Sequence, residues 1–333
     1  MRLQDIAVVG ASGLVGRKII EILIQRNFPV GKIIAIASEQ SVGKELNIRG
    51  NRYKLHRLEE GIFKNVEFAF FSAGANVSHD WVHKAVSEGT LVIDNSSAFR
   101  MDDNVPLVVP EVNRNDIFKH KGIISNPNCS TIQLVLVLKP LDDLFKIKRV
   151  VVSTYQSVSG AGYKGITALE YELKNPDTRH EHSPFAYRIA HNAIPHIDIF
   201  FDDGYTKEEL KIINESRKIL NRKELDITAT CVRIPSHTGH GESVNIEFDK
   251  SVSPADVSEV LRLSKGIRIM DDHTKNEYPM PLNCRDTNEV LVGRIRKDYS
   301  VRHGINLWIV ADNIRKGAAL NAVQISEEYI KGR

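Results

Sequence analysis

The chain has 333 residues, 42% hydrophobic and 26% charged, enough apolar material for one large or two medium globular domains. Its 45 basic and 42 acidic residues leave a net charge of +3, a balance that argues for neither nucleic acid nor a membrane as partner. No basic leader precedes an apolar region, no apolar run approaches the roughly 20 residues of a membrane span, and three widely spaced cysteines, Cys129, Cys231 and Cys284, do not suit a disulfide framework, so a cytoplasmic protein is expected.

Asp5 to Gly10 is an apolar run of buried-strand type, and Leu14 to Asn27 carries Val15, Ile19, Ile22 and Leu23 at helical spacing. Between them lies Gly10-Ala11-Ser12-Gly13-Leu14-Val15-Gly16. Glycines at such a junction let backbone N–H groups approach a pyrophosphate, and the helix N-terminus adds favourable charge. The spacing G-x-x-G-x-x-G departs from the commoner G-x-G-x-x-G, so a dinucleotide site competes here with a purely structural turn. A second strand, Lys32 to Ser38, leads into Glu39-Gln40-Ser41-Val42-Gly43-Lys44, where an adenosine ribose would lie. Ser38, Ser41 and Lys44 suit a 2′-phosphate and Glu39 a free 2′-hydroxyl, so the residues alone leave NADP and NAD both open.

Strands over 66–72, 90–94, 107–109 and 122–125, with a helix over 77–87, predict a doubly wound parallel sheet of Rossmann type. Polar loops at the strand ends, Ser72-Ala73-Gly74 and Asn95 to Arg100, fall where such sheets bind ligands, which makes Arg100 a candidate anion contact. Next comes Ser125-Asn126-Pro127-Asn128-Cys129-Ser130-Thr131, followed by the apolar run Ile132 to Leu138. Asn126-Pro127 opens a turn, so Cys129 is expected in the first turn of a buried helix. Unpaired N–H groups and the positive dipole end there favour a thiolate, and such placement brings a thiol pKa from ~8.5 into the range of roughly 3.5 to 7.5. A single cysteine is more often packing than nucleophile, so its company decides.

From Lys148 the texture changes. Arg149 to Tyr155 reads as a strand running into the Ser/Gly loop Gln156 to Gly162, then a helix through Lys174. Residues 175–192 are irregular, and His180, His182 and His191 lack acidic or cysteine partners at ligand spacing, so no metal site is expected. Thr206 to Leu220 reads as a helix with the capping box Thr206/Glu209, and Glu208 and Lys211 share a face three residues apart, by spacing alone an ordinary ion pair. Asp226 to Ile234 alternates like a strand with one wet face and meets the loop Pro235 to Gly241. Strand, helix and strand over 243–248, 256–263 and 290–297, a last strand over 304–311 and a helix over 317–330 make an α+β second domain.

Gly10 to Gly16, Asn95 to Arg100, Asn126 to Thr131, Tyr155 to Gly162, Cys231 to Pro235 with His240, and Asp312-Asn313 with Lys316 to Gln324 together resemble the aspartate-β-semialdehyde dehydrogenase family, from the glycine turn to the last helix. The resemblance implies a dinucleotide-binding domain over residues 1–130 and 315–333, with the last helix returning to it, and a catalytic and dimerisation domain over 131–314. It implies a homo-oligomer, dimer or tetramer, that reduces β-aspartyl phosphate to aspartate semialdehyde with NADPH and releases phosphate, on the route to lysine, threonine and methionine. Cys129 would form a thioester, His240 would take its proton and later return one, and Gln156 would orient the intermediate. Arg233 would hold the substrate carboxylate, Glu208 the ammonium, and Lys211 and Arg100 the phosphate, with Asn128 nearby. Ser12, Gly13, Leu14, Val15, Ser38, Gln40 and Ser41 would bind the adenosine side of NADP, and Ser159, Gly160 and Asn321 the nicotinamide. Gln40 stands where the family has arginine, and the lost charge weakens NADP relative to NAD. The alternatives are a related reductase acting on N-acetylglutamyl phosphate or a CoA thioester, and a silent nucleotide-binding paralogue.

Overall fold

The computed structural model describes residues 2–332, which divide into two compact units. One runs to Asn128 and resumes at Ala318; the other is Cys129–Gly317.

The first unit alternates β1 (Gln4–Val9), α1 (Leu14–Gln25), β2 (Val30–Ile36), β3 (Glu45–Ile48), β4 (Asn51–His56), β5 (Phe68–Phe71), α2 (Ala75–Ser87), β6 (Leu91–Asp94), the short α3 (Pro110–Asn113) and β7 (Ile123–Ser125). The sheet order is β3-β4-β2-β1-β5-β6-β7, parallel throughout except for the β3–β4 hairpin. Strands β1, β5, β6 and β7 are apolar on both faces because both are covered. Ile6 and Val8 pack with Ile19, Leu23, Phe70 and Val323 on one side, while Ala7 and Val9 pack with Phe71, Val82 and Ala85 on the other. Val323 belongs to the C-terminal helix Leu320–Lys331, which docks on α1 in this unit.

The second unit holds α4 (Cys129–Phe145), β8 (Ile147–Gln156), α5 (Gly162–Lys174), α6 (Lys207–Leu220), β9 (Asp226–Arg233), β10 (His240–Phe248), α7 (Pro254–Leu263), β11 (Ile267–Ile269), α8 (Pro281–Cys284), β12 (Val290–Asp298) and β13 (Gly304–Ala311). Its mixed sheet has the order β11-β12-β13-β10-β8-β9. The capping box of α6 forms as expected, Thr206 accepting from the Glu209 N–H and Glu209 from the Thr206 N–H. Alternation along β8, β9 and β10 buries Val152, Thr154, Gln156, Ala229, Cys231, Arg233, His240, Glu242 and Val244. Helices α4 and α6 pack against these strands.

Three local expectations need correction. Leu107 to Val109 is no strand; Leu107 makes one parallel bridge to Ser125. His240 lies not in a loop but at the first position of β10, because pairing with Ala311 makes even this glycine-flanked stretch extended. The β3–β4 hairpin over 45–56 was not expected, since its strands are largely exposed and polar.

Candidate active site

Strand direction gathers the reactive residues of the second unit. β8 and β9 are parallel with Gln156 opposite Arg233, so both side chains stand at the same strand ends. β10 runs antiparallel to β8, with Gly241 opposite Tyr155, which brings its first residue, His240, to that end too. All three are on the buried face, each at most 6% exposed. Two helix beginnings complete the cluster: Cys129 is the first residue of α4, and Glu208 lies in the first turn of α6.

Hydrogen bonds and charges fix these groups. Gln156 accepts from Thr154 (3.0 Å) and donates through Nε2 to Glu208 (3.1 Å). Lys211 donates to Glu208 (3.1 Å) and to Asp198 (2.8 Å). Burial works against the ammonium of Lys211, but the two carboxylates outweigh it and hold its pKa above the usual value. Arg233 donates Nη1 to the Ser157 carbonyl at 2.7 Å, and its guanidinium lies 5.7 Å from the Phe185 ring centre. Burial pushes the Arg233 pKa down, opposed by Glu208 and by negative charge on Cys129 and Cys231. A thiolate on Cys129 therefore has two electrostatic supports, the Arg233 cation and the start of α4.

His240 is fully buried, and its pKa is brought down to about 3 by desolvation and then by the Arg233 charge, opposed by Glu208 and the Gly239 backbone. Its Nδ1 faces the Ser157 N–H at 3.1 Å and Ser157 Oγ at 3.1 Å, while Nε2 has no hydrogen-bond partner among the described residues. Gly160 lies against this pair: a Cβ there would come 2.7 Å from Arg233 Nη1 and 3.5 Å from His240 Nε2. Gly317 passes Cys129 as tightly, since its Cβ would sit 3.0 Å from that of Cys129. The other two cysteines are buried and unsuited to attack; burial raises the thiol pKa of both, that of Cys284 to about 12.

The first unit holds a separate set. Gly10 has φ +86°, and a Cβ on it would meet the Ser72 carbonyl oxygen at 2.7 Å; on Gly16 it would meet the Gly10 oxygen at 2.2 Å. Gly13 precedes α1 as its N-cap and supplies no side chain to its N–H groups, leaving the first backbone donors of the helix without a side-chain cap. Ser12 precedes that cap, Leu14 and Val15 open the helix, and Ser38, Gln40 and Ser41 follow β2 on a partly exposed turn. Arg100 donates to the carbonyls of Asn126 (3.0 Å) and Asn95 (2.7 Å). Asn321 donates to Val108 (2.9 Å) and to Asn126 Oδ1 (2.7 Å), and Asn126 donates to Asn95 Oδ1 (2.9 Å). Arg100 and Asn321 thus both clamp the Asn126-Pro127 turn that leads to Asn128, itself 7% exposed.

Residues 5–120 match the description "Semialdehyde dehydrogenase, NAD binding domain", and residues 138–316 match "Semialdehyde dehydrogenase, dimerisation domain". The aspartate-semialdehyde dehydrogenase of Aquifex aeolicus is 52% identical over 332 residues, 98% of each chain, and that of Campylobacter jejuni is 47% identical over 336 residues, 98% of each. This chain belongs to the aspartate-semialdehyde dehydrogenase family. Among solved structures, aspartate semialdehyde dehydrogenase II of Vibrio cholerae, complexed with ASA, matches with a TM-score of 0.95 at 42% identity over 99% of both chains. The enzyme of Candida albicans, solved with NADP, matches at 0.78 and 25% identity over 98% of both. Within the dehydrogenase fold, the reactive cluster lies in the dimerisation-domain match or just before it, and the glycine cradle in the NAD-binding match.

Two polar groups of this dehydrogenase escaped the reading of the sequence as individual residues. Asn313 Oδ1 accepts from the Gly239 N–H (2.9 Å), Ser157 Oγ (3.1 Å) and Ser159 Oγ (3.3 Å), so it orders the loop beside His240. Glu242, two residues along β10, is fully buried with neither carboxylate oxygen hydrogen-bonded among the described residues. Desolvation raises its pKa well above the ordinary 4.5, opposed by the Gln133 amide, whose Nε2 donates to the His240 carbonyl at 3.3 Å. With the folded pKa raised, stability is full below the ordinary carboxyl range and is lost as pH climbs from there toward the folded value. Glu242→Gln is therefore expected to be more stable than the parent by a margin that grows as pH rises above the ordinary carboxyl range, read from urea midpoints at several pH values. A margin that stays constant, or shrinks, would show that Glu242 is not held neutral in the fold.

Proposed function

We propose that the chain catalyses the NADPH-dependent reduction of β-aspartyl phosphate to aspartate semialdehyde, and the reverse, through a thioester on Cys129. What carries this reading is the meeting of four functions in one unit: a cysteine at a helix start, an imidazole with an unpartnered Nε2, a buried guanidinium, and a carboxylate beside an ammonium. The thiolate of Cys129 attacks the acyl carbon and expels phosphate, leaving the thioester. Gln156 orients the acyl group by hydrogen bonding, and His240, through Nε2, takes the Cys129 proton and later returns one. Arg233 takes the α-carboxylate with paired N–H donors, Glu208 takes the α-ammonium, and Lys211 takes phosphate, with Arg100 and Asn128 supporting it.

The nicotinamide, when bound, supplies the hydride donor or acceptor. Gly10, Ser12, Gly13, Leu14 and Val15 would receive its pyrophosphate, since Gly10 and Gly16 close the turn against Ser72 and Gly10 and α1 starts without a side-chain cap, and Ser159, Gly160 and Asn321 are assigned to its nicotinamide end. Ser38, Gln40 and Ser41 would receive the 2′-phosphate. Gln40→Arg is expected to tighten NADP at least ~10-fold more than NAD, as a charge-assisted hydrogen bond should, measured by cofactor fluorescence titration. Equal effects on both cofactors would remove Gln40 from the 2′-phosphate site.

A homodimer is proposed from the dimerisation-domain match, with two copies pairing through the sheet face opposite α4 and α6, where Tyr155 is 38% exposed. The assignment to an amino-acid biosynthetic route follows from the substrate, and the cytoplasm is proposed from the three widely spaced, free cysteines; no helix of the described residues is long and apolar enough to cross a membrane. The substrate is tested by following NADPH formation with phosphate and each aldehyde in turn. Aspartate semialdehyde should be oxidised and N-acetylglutamate semialdehyde refused, because Glu208 has no ammonium to meet in the acetylated compound. Preference for the acetylated substrate would overturn the assignment.

A further inference from the structure

We propose that Asp198 sets the selectivity for an aldehyde that bears an ammonium group: it holds the Lys211 ammonium back from Glu208, so that the Glu208 carboxylate keeps charge for the substrate. Asp198 is thus a positioning residue that acts through Lys211, and the inference rests on the proposed reading of Glu208 as the group that meets the ammonium.

Lys211 follows Glu208 by three residues on α6, so the two side chains share a face and would close into a simple ion pair if nothing competed. A competitor is present. Lys211 Nζ lies 2.8 Å from Asp198 Oδ2 and 3.1 Å from Glu208 Oε2, so its shorter contact is to the residue outside the helix. Asp198 is held in place independently of Lys211. Its Oδ1 accepts from the Ile199 N–H at 3.0 Å, and the chain just after it is pinned to the head of α6, where the Lys207 N–H donates to the Ile199 carbonyl at 2.8 Å and Phe200 bridges to Thr206. Its backbone is left-handed, with φ +69°, a conformation that aspartate tolerates better than most residues. Stability does not explain the contact, because a pair whose carboxylate side is 33% exposed adds little to folding.

The charge on Glu208 decides what an arriving ammonium meets. The Glu208 side chain is 7% exposed, and its oxygens accept from Gln156 Nε2 at 3.1 Å and from Lys211. In this low-dielectric place a cation at contact distance cancels most of a carboxylate's pull. One ammonium shared between two carboxylates leaves one negative charge in the trio, and Arg233, which also acts on Glu208, is balanced in the proposed complex by the substrate's own carboxylate. The sharing also keeps Asp198 ionised: burial works to raise its pKa, but the hydrogen bond and charge of Lys211 hold it below the usual carboxylate range. Without the Asp198 charge, Lys211 closes on Glu208 and the pair carries no excess charge. Lys211 spends two of its three donors on the carboxylates, so the sharing does not remove it as a phosphate ligand.

The test sets aspartate semialdehyde, as substrate of the full chain, against succinate semialdehyde, the same aldehyde without the ammonium, as competing ligand. Asp198→Asn should raise the KM for aspartate semialdehyde at least ~10-fold, while the inhibition constant of succinate semialdehyde moves less than about threefold. The KM for phosphate should not rise, and the urea midpoint should stay near that of the parent. Asp198→Glu should restore most of the lost affinity; if Asp198→Asn does not fold, Asp198→Gly, which favours the left-handed backbone, takes its place with the same expected result. In a Lys211→Met background, Asp198→Asn should shift the KM for aspartate semialdehyde by less than about threefold, because the residue it acts through is gone. Equal weakening of both aldehydes, or a loss that persists without Lys211, would overturn the proposal. Glu208→Gln separates the two readings: if it weakens both aldehydes equally, the ammonium lies elsewhere and the reading of Glu208 fails. If it weakens aspartate semialdehyde alone while Asp198→Asn weakens neither, only the inference about Asp198 fails.

Discussion

Cys129→Ser should lose at least ~10⁴-fold in turnover in both directions while binding the dinucleotide as tightly as the parent. A serine hydroxyl is not ionised near neutrality, and neither the first turn of α4 nor the Arg233 guanidinium can make it so at the level available to a thiol. The dinucleotide should be indifferent, because the glycine cradle is built from Gly10, Gly13 and Gly16 of the first unit. Cys231→Ser and Cys284→Ser should keep substantial turnover, since both thiols are buried and held protonated. Steady-state rates with cofactor titrations check this; a Cys129→Ser enzyme within ~10-fold of the parent would end covalent catalysis as an explanation.

Arg233→Lys should cost about 10²-fold in kcat/KM for the semialdehyde, most of it in KM, with cofactor affinity unchanged. The parent guanidinium is buried, spends Nη1 on the Ser157 carbonyl at 2.7 Å and keeps its remaining donors for a planar carboxylate. Lysine offers a point charge at the end of a shorter reach and cannot serve both partners. A change in KM of less than about threefold would place the substrate carboxylate elsewhere.

Much of the fold was legible because its signals are local. The apolar run through Val9, the glycine turn and the helical spacing of Ile19, Ile22 and Leu23 each lie within a few residues and return as β1, the cradle and α1. The same holds for the Thr206/Glu209 capping box and for Cys129 at the head of α4. Long-range features were not legible. That Gln156, Arg233 and His240 meet depends on β8 lying between β9 and β10, a matter of strand order that no window of sequence contains. His240 itself reads as loop among Gly239 and Gly241 until β13 and β8 pair on both sides of β10. The β3–β4 hairpin is carried by a turn at Arg49 and Gly50, both with positive φ, between strands too polar to reveal themselves by alternation. The irregular 175–192 stretch is organised by one buried carboxylate, Glu172, which accepts from the N–H groups of His180, Ile189 and Ala190.

The thioester can be seen directly by intact-mass spectrometry of the full chain incubated with aspartate semialdehyde and NADP in phosphate-free buffer, followed by peptide mapping. A single aspartyl adduct on Cys129 that disappears when phosphate is added is expected. Turnover with no adduct at any time, or an adduct confined to Cys231 or Cys284, would contradict the account.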